Sequence, residues 1–375
     1  MEVKRTSAAE TVKGVVDPAF ETVRERFETL ICDGDEGGAS VAVLVDGDLV
    51  VDLVGGWANA RHSQPWQPDT LAHTYSVSKP FAALAVLALA AEGHLALDMA
   101  VADVWPEYAE AGKGSTTVRH LLTHQAGLPA FGPTLSANDL FEADLLRSWL
   151  ANSPPAWVPG TAHGEHALTY GHLLDGVVRA VTGATLGEVF RSRIAEPLGW
   201  DAWFGVPLDE ISRVADLEYL SPLWPQDIAG TSGTLRHQAL TQPQGALEVN
   251  VLNHTRWRQT EFPAIGLHSN ARAVVALYGE LLQPAGALAH IIGSDLFVEL
   301  LRPQLEGLDR TLDRDVSWTL GMQRDGSDVG MGGIGGSVGF ASLDKRYAFA
   351  YVTRSLGDHG RADVLVNALE LVLGR

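Results

Sequence analysis

Residues 76–90 read Ser-Val-Ser-Lys-Pro-Phe-Ala-Ala-Leu-Ala-Val-Leu-Ala-Leu-Ala, and this stretch constrains the fold more than any other. A helix that is apolar on every face must be buried, so the rest of the chain is organised around it. Pro80 suits the first helical turn, which needs no internal N–H partner, and Gly93 supplies a stop. Ser76 and Lys79 stand three residues apart at the helix start and project the same way. Carrying a lysine into an apolar interior is unfavourable unless its proton is used. The pair therefore reads as a serine nucleophile with an adjacent lysine base, although S-x-x-K alone also fits an ordinary N-capped core helix.

The flanking segments place this helix. Asp17 to Ile31 predicts an amphipathic helix, with Asp17 as cap and Pro18 at its first position. Ala39–Val45 and Leu49–Val54 flank Asp46-Gly47-Asp48, a β-hairpin pattern. The middle of the chain is mostly helical: short pieces between Leu97 and Gln125, then Asn138–Ala151, Thr169–Thr182 and Thr185–Ile194. Leu208–Pro263, rich in Trp, Pro, Gln and Asn, reads as irregular excursions lining a cleft. Helices are expected at Asn270–Leu282 and Ser294–Leu301, strands at Ser317–Met322, Ser337–Ser342 and Tyr347–Arg354, and a last helix from Gly360 to Leu373. The fold class expected is α/β of the α+β type. Residues 1–70 and 265–375 would join both chain ends in one antiparallel sheet flanked by helices, with 71–264 inserted as a mainly helical lobe.

The 375 residues are more than one small core organises, in keeping with two lobes. A formal net charge of −19 argues against nucleic acid and anionic membranes as partners. Cys32 is the single cysteine, so no intrachain disulfide can form and the redox compartment stays open. Met1–Ser7 leads into no apolar run, no segment reaches the roughly 18 apolar residues of a membrane span, and a cytoplasmic location is expected.

Several further stretches carry a resemblance. Thr74-Tyr75-Ser76-Val77-Ser78-Lys79, Val118–Pro129 (VRHLLTHQAGLP), Pro159-Gly160-Thr161, Val181-Thr182-Gly183, Ile194–Gly199 (IAEPLG) and Gly332-Gly333-Ile334-Gly335-Gly336-Ser337 occur in this order. Together they resemble the serine β-lactamase and penicillin-binding-protein superfamily, in the class C-like branch that includes family VIII carboxylesterases. The resemblance implies a β-lactamase/transpeptidase-like fold, Ser76 as nucleophile, and Lys79 taking or relaying its proton. A lysine at its ordinary pKa near 10.4 is a poor base, so the site must lower it. The resemblance also implies an oxyanion site between the backbone N–H groups of Ser76 and Ile334, with Met331, Gly332 and Gly333 on the bordering strand.

Two positions depart from the family pattern. Glu165 stands where the family has a tyrosine working with the lysine, and Tyr170, five residues on, matches a second family aromatic. Met331 stands where Lys, His or Trp opens the third motif, and it neither carries charge nor donates a strong hydrogen bond. Glu165 can pair with Lys79 and act as the base that activates the acyl acceptor, or it can point to solvent with the tyrosine's role lost. Met331 removes a group that would hold an anionic carboxylate, which disfavours β-lactams and favours a neutral acyl donor.

Other patterns carry less. Gly335-Gly336-Ser337-Val338-Gly339 spells G-x-S-x-G, but no helix follows the serine as a nucleophile elbow requires. His163-Gly164-Glu165-His166 lacks the spacing that puts two imidazoles on one helix face, so no metal and no cofactor are expected. His124 reads as a turn or core histidine, and Asp358-His359 as a solvated loop. The leading expectation is a carboxylesterase-like hydrolase acting through an acyl-enzyme at Ser76 on a small-molecule ester. A transacylase passing the acyl group to an amine or alcohol in small-molecule biosynthesis stands second. A β-lactamase or D-aminoacyl peptidase, and a catalytically silent binding protein, stand behind these. Oligomeric state is left open.

Overall fold

The computed structural model describes residues 12–374; the N-terminal stretch 1–7, read above for a leader, lies outside the described residues. Two residues reverse the chain between its first long strands. Asp46 and Gly47 both take positive φ, 52° and 97°, the turn whose twist matches paired strands. It joins β2 (Gly38–Val45) to β3 (Asp48–Gly56). With β1 (Lys13–Val16), β4 (Leu305–Asp309), β5 (Arg314–Trp318), β6 (Gln323–Asp325), β7 (Asp328–Gly332), β8 (Val338–Ser342) and β9 (Tyr347–Thr353), they form one sheet ordered β1-β3-β2-β9-β8-β7-β6-β5-β4. Every neighbouring pair is antiparallel. β2 pairs β9 with Val43 opposite Phe349, so segments from opposite ends of the chain sit side by side.

Alternation along these strands sorts two faces. Val41, Val43, Leu53, Phe349 and Tyr351 pack with Val23, Phe27 and Leu30 of α1 (Glu21–Asp33) and Leu365 and Leu369 of α5 (Gly360–Leu373). Ala42, Ala348 and Ala350 face the other way, into the core shared with α2 (Ser78–Ala91), α3 (Tyr170–Thr182) and α4 (Ala271–Leu281). Small residues let α4 lie close: a Cβ at Gly339 would run into Tyr278 and Val274. In α2 every residue from Ser78 to Leu89 is buried, as its composition demands. A short second sheet pairs Leu267–Ser269 with Ala72–His73 and with Ala202–Phe204.

Asp17 caps a short 3₁₀ turn ahead of α1, its Oδ1 accepting from Ala19 N at 2.9 Å. Three expectations are corrected. The strand expected at Ser317–Met322 is β5, Arg314–Trp318; Gly321, at φ 93°, turns the chain out of it, and Thr319 N donates to Met322 O. The strand expected to continue through Arg354 ends at Thr353, because the chain bends at Arg354 and Ser355–Leu356 pair with Glu218–Tyr219 instead of with β2. Residues 208–263 hold the short helices Trp224–Ala229, Leu235–Thr241, Val249–Leu252 and Thr255–Gln259. Pieces of one or two turns carry no readable helical period, and two are started by side chains of Thr234 and His254 that cap the next turn. With Leu135, Leu240 and Leu247 this segment walls a cavity of about 810 Å³. No helix among the described residues is long and apolar enough to cross a membrane.

Candidate active site

Ser76 is held at the mouth of α2 by hydrogen bonds to the short sheet. Thr74 donates through N and Oγ1 to Leu267 O, both at 3.0 Å, and Leu267 N donates to Ser78 Oγ at 2.9 Å. Ser78 Oγ in turn donates to Tyr75 O at 2.5 Å. Tyr75 takes φ 50°, a left-handed conformation that strains a bulky residue. Its phenol donates to Ala246 O at 3.2 Å and its ring lies edge-on to His73, which offsets that strain. Ser76 sits in the 3₁₀ turn Tyr75–Val77 that leads into α2, where N–H groups lack an intrahelical acceptor.

Lys79 is fully buried, and its Nζ donates to Ser76 Oγ at 2.7 Å. The carbonyls of Ala167 and Ala264 lie at 3.2 and 3.4 Å, and Glu165 Oε1 at 3.2 Å. An ammonium offers three protons to these four oxygens, whereas a neutral amine could accept from the serine hydroxyl. Burial pushes the Lys79 pKa below its ordinary value, and the nearby Glu165 carboxylate pulls it partly back. Glu165 is 7% exposed and Ser76 5%. Three of the sequence-predicted residues, Ser76, Lys79 and Glu165, are therefore one contiguous cluster, and Glu165 points at the lysine.

The third-motif strand comes to the same place through Gly333. A Cβ at Gly333 would collide with Thr74 O and approach Tyr75, so only glycine lets the strand end touch the segment before Ser76. Gly333 N donates to Ser337 O and Gly336 N to Gly333 O, closing a turn in which the Ile334 amide has no acceptor among the described residues. β7, which ends at Gly332, runs beside the Tyr75–Val77 turn. Met331 is buried against Val316 and Trp318, and Gly332 faces His359 Nε2 across the sheet. Tyr170 is buried with its hydroxyl donating to Leu122 O at 3.4 Å. Ser337 of the G-x-S-x-G string accepts from Thr353 N between β7 and β8.

His124 is a core histidine at φ 61°, its ring against Trp318 and Tyr170 at 4.1 and 4.7 Å. Burial holds it neutral, well below the ordinary histidine value. His166 accepts from Leu128 N at 3.0 Å through Nε2, while its Nδ1 lies 2.7 Å from Gly164 O; burial lowers its pKa to about 4. One residue of this neighbourhood escaped the sequence reading. Asp309, fully buried on β4, accepts from Glu165 N at 3.0 Å. Its local signal is an Asx turn, since the same oxygen accepts from Thr311 N and Leu312 N; nothing local announces the bond to Glu165.

Comparison with known proteins agrees with this geometry. The model of the beta-lactamase family matches residues 21–372. The esterase/beta-lactamase LipL of Mycobacterium tuberculosis is 32% identical, over 93% of this chain and 84% of LipL. A solved family VIII carboxylesterase is 33% identical at a TM-score of 0.86, covering 96% of this chain and 99% of its own. A penicillin-binding-protein homologue from Caulobacter crescentus is also 33% identical, with a TM-score of 0.84 and the same coverage. From its folded sheet to the cluster at Ser76, the chain belongs to the beta-lactamase family.

Proposed function

We propose that the protein is a serine ester hydrolase that works through an acyl-enzyme at Ser76, with Glu165 as the base that releases the acyl group. The observation that carries this is the Ser76–Lys79–Glu165 chain, with steps of 2.7 and 3.2 Å. The names of LipL and of the family VIII carboxylesterase support an ester as substrate. In acylation the Ser76 hydroxyl proton passes to neutral Lys79, Oγ bonds to the ester carbonyl carbon, and the alcohol leaves with that proton. The developing oxyanion is received by the Ser76 and Ile334 amides. In deacylation Glu165 takes a proton from water as the hydroxyl adds to the acyl carbon. Before water attacks, Lys79 receives a proton from Glu165, leaving the carboxylate free to act; Ser76 Oγ then departs with that proton from Lys79, and the cycle closes with Lys79 neutral and Glu165 protonated. The balance is ester plus water to acid plus alcohol. The pair is suited to this because Lys79 Nζ and Glu165 Oε1 lie 3.2 Å apart, close enough to pass a proton directly.

With Met331 buried against Val316 and Trp318, position 331 supplies no cation to an acyl donor, which favours a neutral one over an anionic one. A second reading, transfer to an amine or alcohol, is favoured by the low exposure of Ser76 and Glu165: an acceptor that fills the cleft displaces water and meets the same base. The test is intact-mass tracking of Ser76 during p-nitrophenyl ester turnover. Wild type is expected to cycle, and Glu165→Gln to accumulate acyl-enzyme with turnover slowed roughly 10²- to 10⁴-fold. No adduct at Ser76 sinks both readings; an acyl-enzyme stable in water that clears with an added amine selects transfer.

A further inference from the structure

Glu165 lies on a segment outside any helix or strand, yet three consecutive amides of that segment are each tied to a fixed acceptor. Gly164 N donates to His124 O at 3.2 Å, Glu165 N to Asp309 Oδ1 at 3.0 Å, and His166 N to His124 Nδ1 at 3.1 Å. The two acceptors are linked through Trp318, whose Nε1 donates to Asp309 Oδ2 at 3.0 Å and whose ring stands 4.1 Å from that of His124. His124, Asp309 and Trp318 are all fully buried. A Cβ at Gly164 would press on Thr311 and Trp157, so the segment has no room to shift.

We infer that Asp309, Trp318 and His124 form a clamp that positions the Glu165 carboxylate on Lys79, and that Asp309 is its key positioning residue. This rests on the reading of Glu165 as the deacylation base. The Asp309 carboxylate fits the task because its oxygens receive three backbone amides and one indole N–H, a set no neutral side chain of that size accepts. A hydrogen bond from Glu165 to the sheet, rather than to its own helix lobe, ties the base to β4 and β5. Ser76 is anchored separately, through Leu267 and α2, whereas Lys79 Nζ is held by Ser76 Oγ and Ala264 O as well as by Ala167 O of the Glu165 segment. Disturbing the clamp therefore displaces the base and leaves the nucleophile in place, with the lysine still held by Ser76 Oγ and Ala264 O. A displacement of about 1 Å at a reacting group is worth up to roughly 10²-fold in rate.

The experiment is pre-steady-state hydrolysis of a p-nitrophenyl ester by the full chain carrying Asp309→Asn, Trp318→Phe, Glu165→Gln, or Asp309→Asn with Glu165→Gln, each checked for folding by circular dichroism. Asp309→Asn sets an amide N–H₂ against the Trp318 indole; Trp318→Phe keeps the ring packing and removes only its hydrogen bond. The expected result is a burst rate within about twofold of wild type and a steady rate lowered roughly 10- to 100-fold in both single clamp variants. The double variant is expected to be no slower than Glu165→Gln alone. A burst that falls with the steady rate, or a double variant slower than Glu165→Gln by the full Asp309→Asn factor, overturns the clamp and leaves Asp309 a general structural residue. If Asp309→Asn does not fold, an unchanged steady rate in folded Trp318→Phe overturns it equally. Slow Glu165→Gln beside fast clamp variants removes the clamp alone, whereas fast Glu165→Gln removes the base and the clamp's role together.

Discussion

Gly333 decides how close the third-motif strand comes to Ser76, the proposed nucleophile. Because a Cβ there would strike Thr74 O, Gly333→Ala must push the turn away and carry the Ile334 amide with it. Loss of one oxyanion donor is worth about 10²- to 10³-fold in rate, and the oxyanion forms in both half-reactions. Gly333→Ala is therefore expected to slow burst and steady phases alike, unlike Glu165→Gln, and stopped-flow traces of the two variants separate them. A normal burst in Gly333→Ala would exclude Ile334 N as a donor. Lys79 has the complementary constraint: burial lowers its pKa while Glu165 raises it, so under the proposed mechanism the carboxylate assigned to acyl release also opposes the neutral amine assigned to acylation.

At the scale of elements, the hairpin β2–β3 is the most locally determined piece of the sheet. Gly47 sits at φ 97°, beyond the conformations open to residues with a Cβ, so Gly47→Ala is expected to lower stability by about 1–2 kcal/mol in urea melts with the fold retained. That turn was readable because Asp-Gly between apolar strands has a local cause, and so was α5, which begins and ends where its apolar period does. β4 and β6 were not. Leu305–Asp309 alternates in burial but not in hydrophobicity, with Leu308 exposed and Asp309 buried, and Gln323–Asp325 is polar throughout. Lying towards the far edge of the sheet with no helix of the α1–α5 layer over them, they need no apolar face. The site divides along the same line. Ser76 and Lys79 are three residues apart and their pairing follows from helix geometry, whereas Asp309 reaches Glu165 across 144 residues, a relation set by tertiary packing.

Across the whole molecule, buried imidazoles give stability a definite pH dependence. Burial is the leading cause holding His166 and His172 at about 4 and His268 at about 3, and it also keeps His73 and His124 well below the ordinary 6.5. Between about 4 and 6.5 the unfolded chain therefore binds more protons than the folded one. The contribution is whole above about pH 6.5 and is lost progressively as pH falls, each histidine adding about 1.4 kcal/mol per pH unit to the slope. His172, packed on Phe262 with neither ring nitrogen hydrogen-bonded, offers the test. His172→Phe is expected to reduce the slope of unfolding free energy between pH 5 and 6 by about one proton, read from urea melts; an unchanged slope would show that the imidazole is protonated in place.

The pairing of β2 with β9 has a consequence for how the protein is made. Val43 and its partner Phe349 are separated by about 300 residues, and a ribosome adding roughly 5–20 residues per second takes between about 15 s and a minute to cover that distance. Throughout that interval the apolar strand Gly38–Val45 has one edge satisfied by its hairpin partner and the other open to any passing chain. The late arrival of Tyr347–Thr353 closes that edge and completes the central layer on which α4 packs. Completion of the sheet thus waits for the last tenth of translation, and a nascent chain stalled before then presents an open apolar edge to other chains.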